Sequence, residues 1–201
     1  GSEIGLSITS RDVIHSFWVP KLGGKRDAFP VPKVDGELDL THPRVNTLWL
    51  QADEVSPPEG YYGQCAELCG TSHANMRTRV FAEPVEEFKA WVAAQKATAP
   101  LPPDTDPAYR PLTVLCAACH TIQGTDLIGS DTEDGGPDLT HFGSRATLAA
   151  GMQENTPENL REWLRNPRSV KPAAIMGKTI APGVLKDDEL DALVEYLYTL
   201  Q

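Results

Sequence analysis

Fourteen residues, Gly63-Gln-Cys-Ala-Glu-Leu-Cys-Gly-Thr-Ser-His-Ala-Asn-Met76, hold two of the four cysteines, one of the five histidines and one of the three methionines. Three, three and two residues separate Cys65, Cys69, His73 and Met76, so one short loop offers thiolate, imidazole and thioether donors together. That donor set can wrap a soft or borderline transition metal. The other two cysteines lie in Cys116-Ala-Ala-Cys-His120, the C-x-x-C-H attachment signature of c-type haem. In that signature the two thiols add to the haem vinyl groups, and the adjacent imidazole reaches the iron as proximal ligand.

The Cys, His and Met order of the first loop resembles a blue-copper loop, in which two histidines, one cysteine and a long axial methionine hold a single copper. The second thiolate is the departure, because two cysteines in one loop can bridge two coppers. A partner imidazole must then come from elsewhere, and His15 in Asp12-Val-Ile-His-Ser-Phe-Trp-Val-Pro20 is the natural candidate. A structural zinc site of Cys₂His₂ type takes its ligands as two separate knuckles. Here the histidine follows the second cysteine in the same loop. A Cys65–Cys69 disulfide would leave His73 and Met76 unexplained. Two bridged coppers is the reading these residues favour.

For the haem, the sixth ligand must come from far along the chain. Met152, Met176 and His141 are the candidates. Met176 sits in Val170-Lys-Pro-Ala-Ala-Ile-Met-Gly-Lys178, a loop able to lay a thioether over the haem, and is favoured. Met152 lies just before a helix start, and His141 would give a bis-histidine haem of lower potential than Met/His ligation. The Gly136-Pro137 step is expected to offer a backbone carbonyl to the ring N–H of His120, the usual device for orienting a ligating histidine. A thioredoxin-like use of C-x-x-C fits neither the helical surroundings nor the trailing histidine.

The elements that must carry these groups change character along the chain. Residues 3–50 alternate apolar and polar positions in Ile4–Ser10 and around Leu48–Ala52, the pattern of β-strands. The intervening 21–46 segment is rich in Gly, Pro and charge and reads as loops with brief strands. His42, in Leu40-Thr-His-Pro43, reads as a solvated histidine. Arg77–Ala82 reads as a strand returning from the metal loop. Pro84 then opens a helix over 84–96, with Val85, Phe88, Trp91 and Val92 on one face, a stripe expected to pack into a core. Lys96–Pro107 has four prolines in twelve residues. It reads as a semi-rigid spacer, giving a first domain over 1–96, a linker over 97–107 and a second domain over 108–201. The second domain is helical. Thr156-Pro157 caps one helix with Leu160, Trp163 and Leu164 on its apolar side. Lys186-Asp-Asp-Glu opens another whose stripe is Leu190, Leu193, Val194, Leu197 and Tyr198. No internal repeat is evident.

A chain of 201 residues allows one or two cores. Net charge is −10, divided as −3 over 1–100 (10 basic, 13 acidic) and −7 over 101–201 (8 basic, 15 acidic). That balance excludes the basic signature of nucleic-acid binders and suits solubility or a basic protein partner. All cysteines fall in the two motifs, so none is left for a structural disulfide. No apolar run approaches the ~20 residues of a membrane span. Gly1-Ser2 has the look of a cloning scar, so a soluble chain is expected here, with any membrane anchor lying upstream.

Both Asp12–Pro20 and Gly63–Met76 resemble subunit II of haem–copper cytochrome c oxidase, and the fused haem domain is similar to the caa3-type version. The resemblance implies an all-β cupredoxin-like barrel with a binuclear CuA centre, followed by an all-α cytochrome c domain. It implies that Cys65 and Cys69 bridge the coppers, that His15 and His73 each bind one, that Met76 is a weak axial ligand and that the carbonyl of Glu67 is another. The Glu67 side chain would face a magnesium site shared with the catalytic subunit. Cys116, Cys119, His120, Pro137, Trp163, Lys171-Pro172 and Met176 match the haem domain. The chain departs from the family in starting almost at the strand before His15, and in Val31–Pro43, which reads as an insertion.

The function implied is that of a non-catalytic electron-entry subunit of a terminal respiratory oxidase. A donor, a cytochrome or other redox protein, reduces haem c. Electrons then pass through CuA to catalytic subunit I, which reduces dioxygen to water, at the outer (periplasmic or extracellular) face of a bacterial cytoplasmic membrane. The rivals are the electron-entry subunit of a nitric oxide reductase and a copper-delivery protein fused to a cytochrome. No nucleophile or acid–base pair points to bond-making chemistry.

Overall fold

The structure is a computed structural model that describes residues 1–132 and 134–201. The chain divides into two compact units, Gly1–Phe88 and Lys89–Gln201. Among the described residues no helix is long and apolar enough to cross a membrane.

The first unit is built of antiparallel strand pairs. β1 (Glu3–Ile8) runs beside β6 (Asn46–Gln51), with Leu6 opposite Leu48. Between them in sequence come β2 (His15–Phe17), β3 (Arg26–Ala28), β4 (Lys33–Val34) and β5 (Glu37–Leu38), paired as β2–β3 and β4–β5. Val31–Pro43 is thus a small hairpin. Its tip is Asp35-Gly36, both at positive φ (52° and 90°), where Asp-Gly adopts the left-handed turn a tight hairpin demands. His42 at its end is exposed and bonds the Asp39 carboxylate at 2.9 Å. Hydrogen bonds from Thr41 and then His42 pull that carboxylate down to about 2. The buried apolar set of this unit is small: Val19, Ala28, Val31, Tyr61 and Cys65.

After the strands comes α1 (Val85–Ala94), which corrects one expectation: it buries no residue. Val85 and Trp91 are 61% and 50% exposed, and Phe88 and Val92 are also exposed. Helical spacing defines a face, but it does not say what covers that face.

The second unit holds one hydrophobic cluster reaching from Ala108 to Leu200. Entry is through α2 (Tyr109–Pro111), which winds on over Leu112–Cys116 with the Ala117 N–H bonded five residues back to the Leu112 carbonyl, a π-type turn. A short hairpin, β9 (Thr147–Leu148) with β10 (Gln153–Glu154), leads to α3 (Pro157–Arg165). The Thr156 side chain caps α3 through the Asn159 N–H at 3.2 Å. Next come α4 (Pro167–Val170) and α5 (Asp187–Thr199). Leu160 and Leu164 on α3 meet Leu190, Leu193 and Leu197 on α5 in the cluster. At the start of α5 the Glu189 carboxylate accepts the Lys186 N–H at 3.0 Å and takes Arg110 at 3.2 Å.

The Pro-rich stretch lies on this second unit as a strap. Ala99 and Leu101 pack against the cluster, and Tyr196 Oη donates to the Pro100 carbonyl at 3.2 Å. Just upstream, His141 Nε2 lies 3.1 Å from the Gln95 carbonyl.

Candidate metal centres

The metal loop is the connection of a hairpin. β7 (Tyr61–Gln64) pairs with β8 (Arg77–Val80), and the register closes at Gln64 opposite Arg77. Cys65 and Met76 are therefore the two feet of the loop, joined by the Cys65 N–H on the Met76 carbonyl at 2.9 Å. His15 comes from fifty residues earlier because residues 16–18 run alongside the same foot. Gln64 N–H bonds the Trp18 carbonyl and Ala66 N–H the Ser16 carbonyl, both at 3.0 Å. That approach needs a glycine at 63: a Cβ there would lie 2.7 Å from the Trp18 carbonyl oxygen and 2.6 Å from Thr78. His73 opens a 3₁₀ turn, His73–Asn75, after Gly70, whose carbonyl takes the His73 N–H at 3.0 Å.

These elements bring the sequence-nominated donors together. The two sulfurs of Cys65 and Cys69 are 3.8 Å apart, and both cysteines are free. A disulfide needs about 2.05 Å, whereas thiolate–metal bonds of about 2.3 Å let sulfurs at this spacing share a metal. His15 Nδ1 lies 3.9 Å from Cys65 Sγ, and His73 Nδ1 lies 3.6 Å from Cys69 Sγ. Met76 Sδ is 3.9 Å from Cys69 Sγ, and the Glu67 carbonyl is 3.2 Å from Cys65 Sγ. Donor atoms of His15, Cys65 and Cys69 all lie within 4.8 Å of one another. The set, with one imidazole beside each thiolate and a thioether and a carbonyl at the rim, fits a pair of coppers.

The environment also divides the two thiols. Burial works to raise Cys65, but backbone hydrogen bonding at Glu67 and Ser16 and the two imidazoles outweigh it and hold that thiol below its usual value. Burial and then the neighbouring Cys65 push Cys69 up. The Glu67 carboxylate, expected to face a magnesium site, lies 3.5 Å from Lys25, which itself bonds Asp27 at 2.7 Å.

At the second motif, Cys119 and His120 both return their N–H to the Cys116 carbonyl, at 3.0 and 2.9 Å, so the five residues form one tight turn. His120 Nδ1 lies 2.7 Å from the Pro137 carbonyl. A carbonyl can only accept, so Nδ1 carries the proton and the lone pair sits on Nε2, the atom left for an iron. Burial lowers the His120 pKa, partly offset by the Pro137 carbonyl, and so favours the neutral imidazole that an iron would need. Gly136 packs flat on the ring, where a Cβ would come within 2.4 Å of the imidazole. Burial and then Cys119 push the Cys116 thiol up to about 11. Met176 lies in the 3₁₀ turn Ile175–Lys178 and, with Cys116 and Trp163, packs against the hydrophobic cluster. His141 has both ring nitrogens facing carbonyls, Gln201 at 2.7 Å and Gln95 at 3.1 Å. Met152 lies in the turn between β9 and β10. The residues present fit a covalent haem, with Cys116 and Cys119 as attachment points and His120 as ligand.

Two contributors escaped the sequence reading. Asp12 lies 2.8 Å from His15 Nε2, and an acid three residues before a candidate ligand was the available signal. Asp138 braces the Pro137 carbonyl's neighbourhood, taking the Thr140 N–H at 2.8 Å and Gln123 Nε2 at 2.9 Å. Burial works to raise its carboxyl, but the Thr140 and Gln123 bonds and the Arg145 charge carry it below the usual carboxylate range. A depressed carboxylate stabilises the fold above its unfolded pKa, and that contribution is lost as pH falls through the folded one. Asp138→Ala is accordingly expected to cost about 1–2 kcal/mol near pH 6, at the low end for charged hydrogen bonds because the group is half-exposed. The deficit should shrink toward pH 3 in denaturant titrations of the haem-loaded protein.

Paired thiolates flanked by imidazoles in one unit, and a C-x-x-C-H turn with an oriented imidazole in the other, define a protein of two redox cofactors, a copper pair and a covalent haem. Residues 1–82 match the family described as cytochrome C oxidase subunit II, periplasmic domain, and residues 112–201 match cytochrome c. The chain thus joins a cupredoxin-like cytochrome c oxidase subunit II domain, which binds CuA, to a cytochrome c domain, which binds haem covalently. It is 36% identical over 205 residues to the cytochrome c oxidase subunit 2 of Alkalihalophilus pseudofirmus, covering 100% of this chain and 52% of that protein. The subunit 2 of Bacillus sp. strain PS3 is 34% identical over 206 residues, covering 99% and 53%. The chain therefore spans about half the length of these curated relatives. The solved periplasmic domain of subunit II of cytochrome oxidase (CoxB) of Bradyrhizobium japonicum is 35% identical over 47% of this chain and 57% of that one, with a TM-score of 0.38.

Proposed function

We propose that this chain is the electron-entry part of a terminal oxidase, relaying electrons from a redox-protein donor to a catalytic subunit that reduces dioxygen. When bound, the haem and the copper pair supply one-electron carriers at fixed positions; every other task falls to the protein. Cys65, Cys69, His15 and His73 would hold the copper pair, with Met76 and the Glu67 carbonyl completing the donor set. A site whose feet, Cys65 and Met76, are tied by a hairpin hydrogen bond, and whose His15 strand is tied alongside, needs little rearrangement when an electron arrives or leaves. Cys116 and Cys119 tether the haem, His120 and Met176 ligate its iron, and Pro137 and Trp163 hold its surroundings. These roles are carried on a copper domain over 1–96 and a cytochrome domain over 108–201, joined by 97–107. The work is done at the outer face of the cytoplasmic membrane, beside subunit I, with an anchor belonging to a longer protein.

The observation that carries the reading is the pair of free sulfurs 3.8 Å apart with an imidazole nitrogen beside each. Electron paramagnetic resonance of the oxidised, copper-loaded protein tests it. Two equivalent coppers sharing one unpaired electron give a seven-line hyperfine pattern. A four-line pattern with labile copper indicates a copper-delivery protein instead, and a single zinc per chain overturns the reading. Electron transfer to a catalytic subunit that reduces nitric oxide, and not dioxygen, reassigns the partner.

A further inference from the structure

The two candidate copper imidazoles are held differently. His15 Nε2 lies 2.8 Å from Asp12 Oδ1, with its Nδ1 turned to Cys65 Sγ. A carboxylate oxygen can only accept, so the bond places the proton on Nε2 and the lone pair on Nδ1. Asp12 is itself braced: the same oxygen accepts from Ser10 Oγ at 2.9 Å, and the Asp12 N–H returns to Ser10 Oγ at 3.3 Å. Ser10 is buried and pinned on both sides, its N–H on the Phe29 carbonyl at 2.9 Å and its carbonyl on the Val31 N–H at 2.8 Å. A hydrogen-bonded relay therefore runs from the Ser10–Pro30 bridge through Asp12 to the imidazole. His73 has its Nδ1 on the Cys69 side, and among the described residues no hydrogen bond reaches its Nε2.

We propose that Asp12 is a positioning residue for the copper pair, fixing His15 in the tautomer that ligates through Nδ1 and making it the more firmly held of the two imidazoles. Carboxylates behind ligating histidines orient the ring and raise its basicity, and their removal typically weakens metal binding 10- to 100-fold. The inference rests on the copper reading above.

The test compares wild type, Asp12→Ala, Asp12→Asn and Ser10→Ala after copper loading, following copper loss to a chelator, the hyperfine pattern and the melting of the copper-free protein. Asp12→Ala is expected to lose copper about 10- to 100-fold faster and to change the hyperfine splitting. Asp12→Asn keeps an acceptor oxygen in place and should restore most of the retention. Ser10→Ala, which loosens Asp12 alone, should move in the same direction by less. A purely structural role would lower copper-free melting while leaving copper loss from the folded protein and the hyperfine pattern unmoved, and that result overturns the proposal. Should Asp12→Ala fail to fold, unchanged copper loss in Ser10→Ala overturns it instead. A wild type without the seven-line signal overturns the copper reading, and this proposal with it; a normal wild-type signal with unmoved variants overturns this proposal alone.

Discussion

Cys69→Ser should remove the copper pair altogether: the oxidised protein loses the seven-line pattern, and bound copper falls from two per chain to one or none. A serine oxygen is a hard donor that stays protonated at neutral pH, whereas copper in this setting selects soft thiolate. The geometry makes the loss larger than that of one ligand. Cys69 Sγ is the shared neighbour of Cys65 Sγ at 3.8 Å, His73 Nδ1 at 3.6 Å and Met76 Sδ at 3.9 Å. Removing it leaves His73 and Met76 without the sulfur they flank, while Cys65 and His15 remain adjacent and able to hold a single ion. The substitution is nearly isosteric and the β7–β8 register does not depend on it, so the copper-free variant should melt close to wild type. Retention of two coppers with an unchanged spectrum would mean that Cys69 is not a bridge.

Met176→Ala should abolish the methionine-to-iron absorption band of the oxidised haem and lower its reduction potential, since Met/His ligation raises the potential of c-type haem. Attachment should survive, because Cys116, Cys119 and His120 belong to a separate turn. A stability cost of about 1–2 kcal/mol is expected as well, below the range for fully buried methionines, because Met176 is only partly covered by the cluster. Met176→His separates the two effects by restoring a sixth ligand at low potential. An intact band in Met176→Ala would transfer the role elsewhere. His141 is poorly placed to inherit it, with both ring nitrogens already facing carbonyls.

Both sites were legible where their residues are neighbours in sequence, because a loop of twelve residues or a single turn leaves little freedom in where its donors go. Cys65, Cys69, His73 and Met76, like Cys116, Cys119 and His120, announce themselves in this way. His15 is different: its motif marks it as the natural partner imidazole and His42 as a solvated one, but only the pairing of residues 16–18 with Gln64–Ala66 shows how it arrives. Asp12 went unnoticed because a surface acid is ordinary until its hydrogen bond is seen. Hydrophobic periodicity located the faces of α3 and α5 correctly, since both have a partner in the same cluster, but misjudged the apolar stripe of α1. The π-type turn over Leu112–Cys116, which buries Leu112, has no sequence signature.

The strap over residues 95–101 changes where a severed cytochrome half should begin. Composition draws the cut after the last proline, yet Leu101 and the Pro100 carbonyl are held by groups on the far side of that cut. A fragment trimmed to residue 108 would expose greasy surface that Ala99 and Leu101 now cover and strand the Tyr196 hydroxyl, so its melting would understate the tolerance of the intact protein. Low-entropy prolines give up little freedom on adhering, which makes such a segment a cheap cladding for a small helical core.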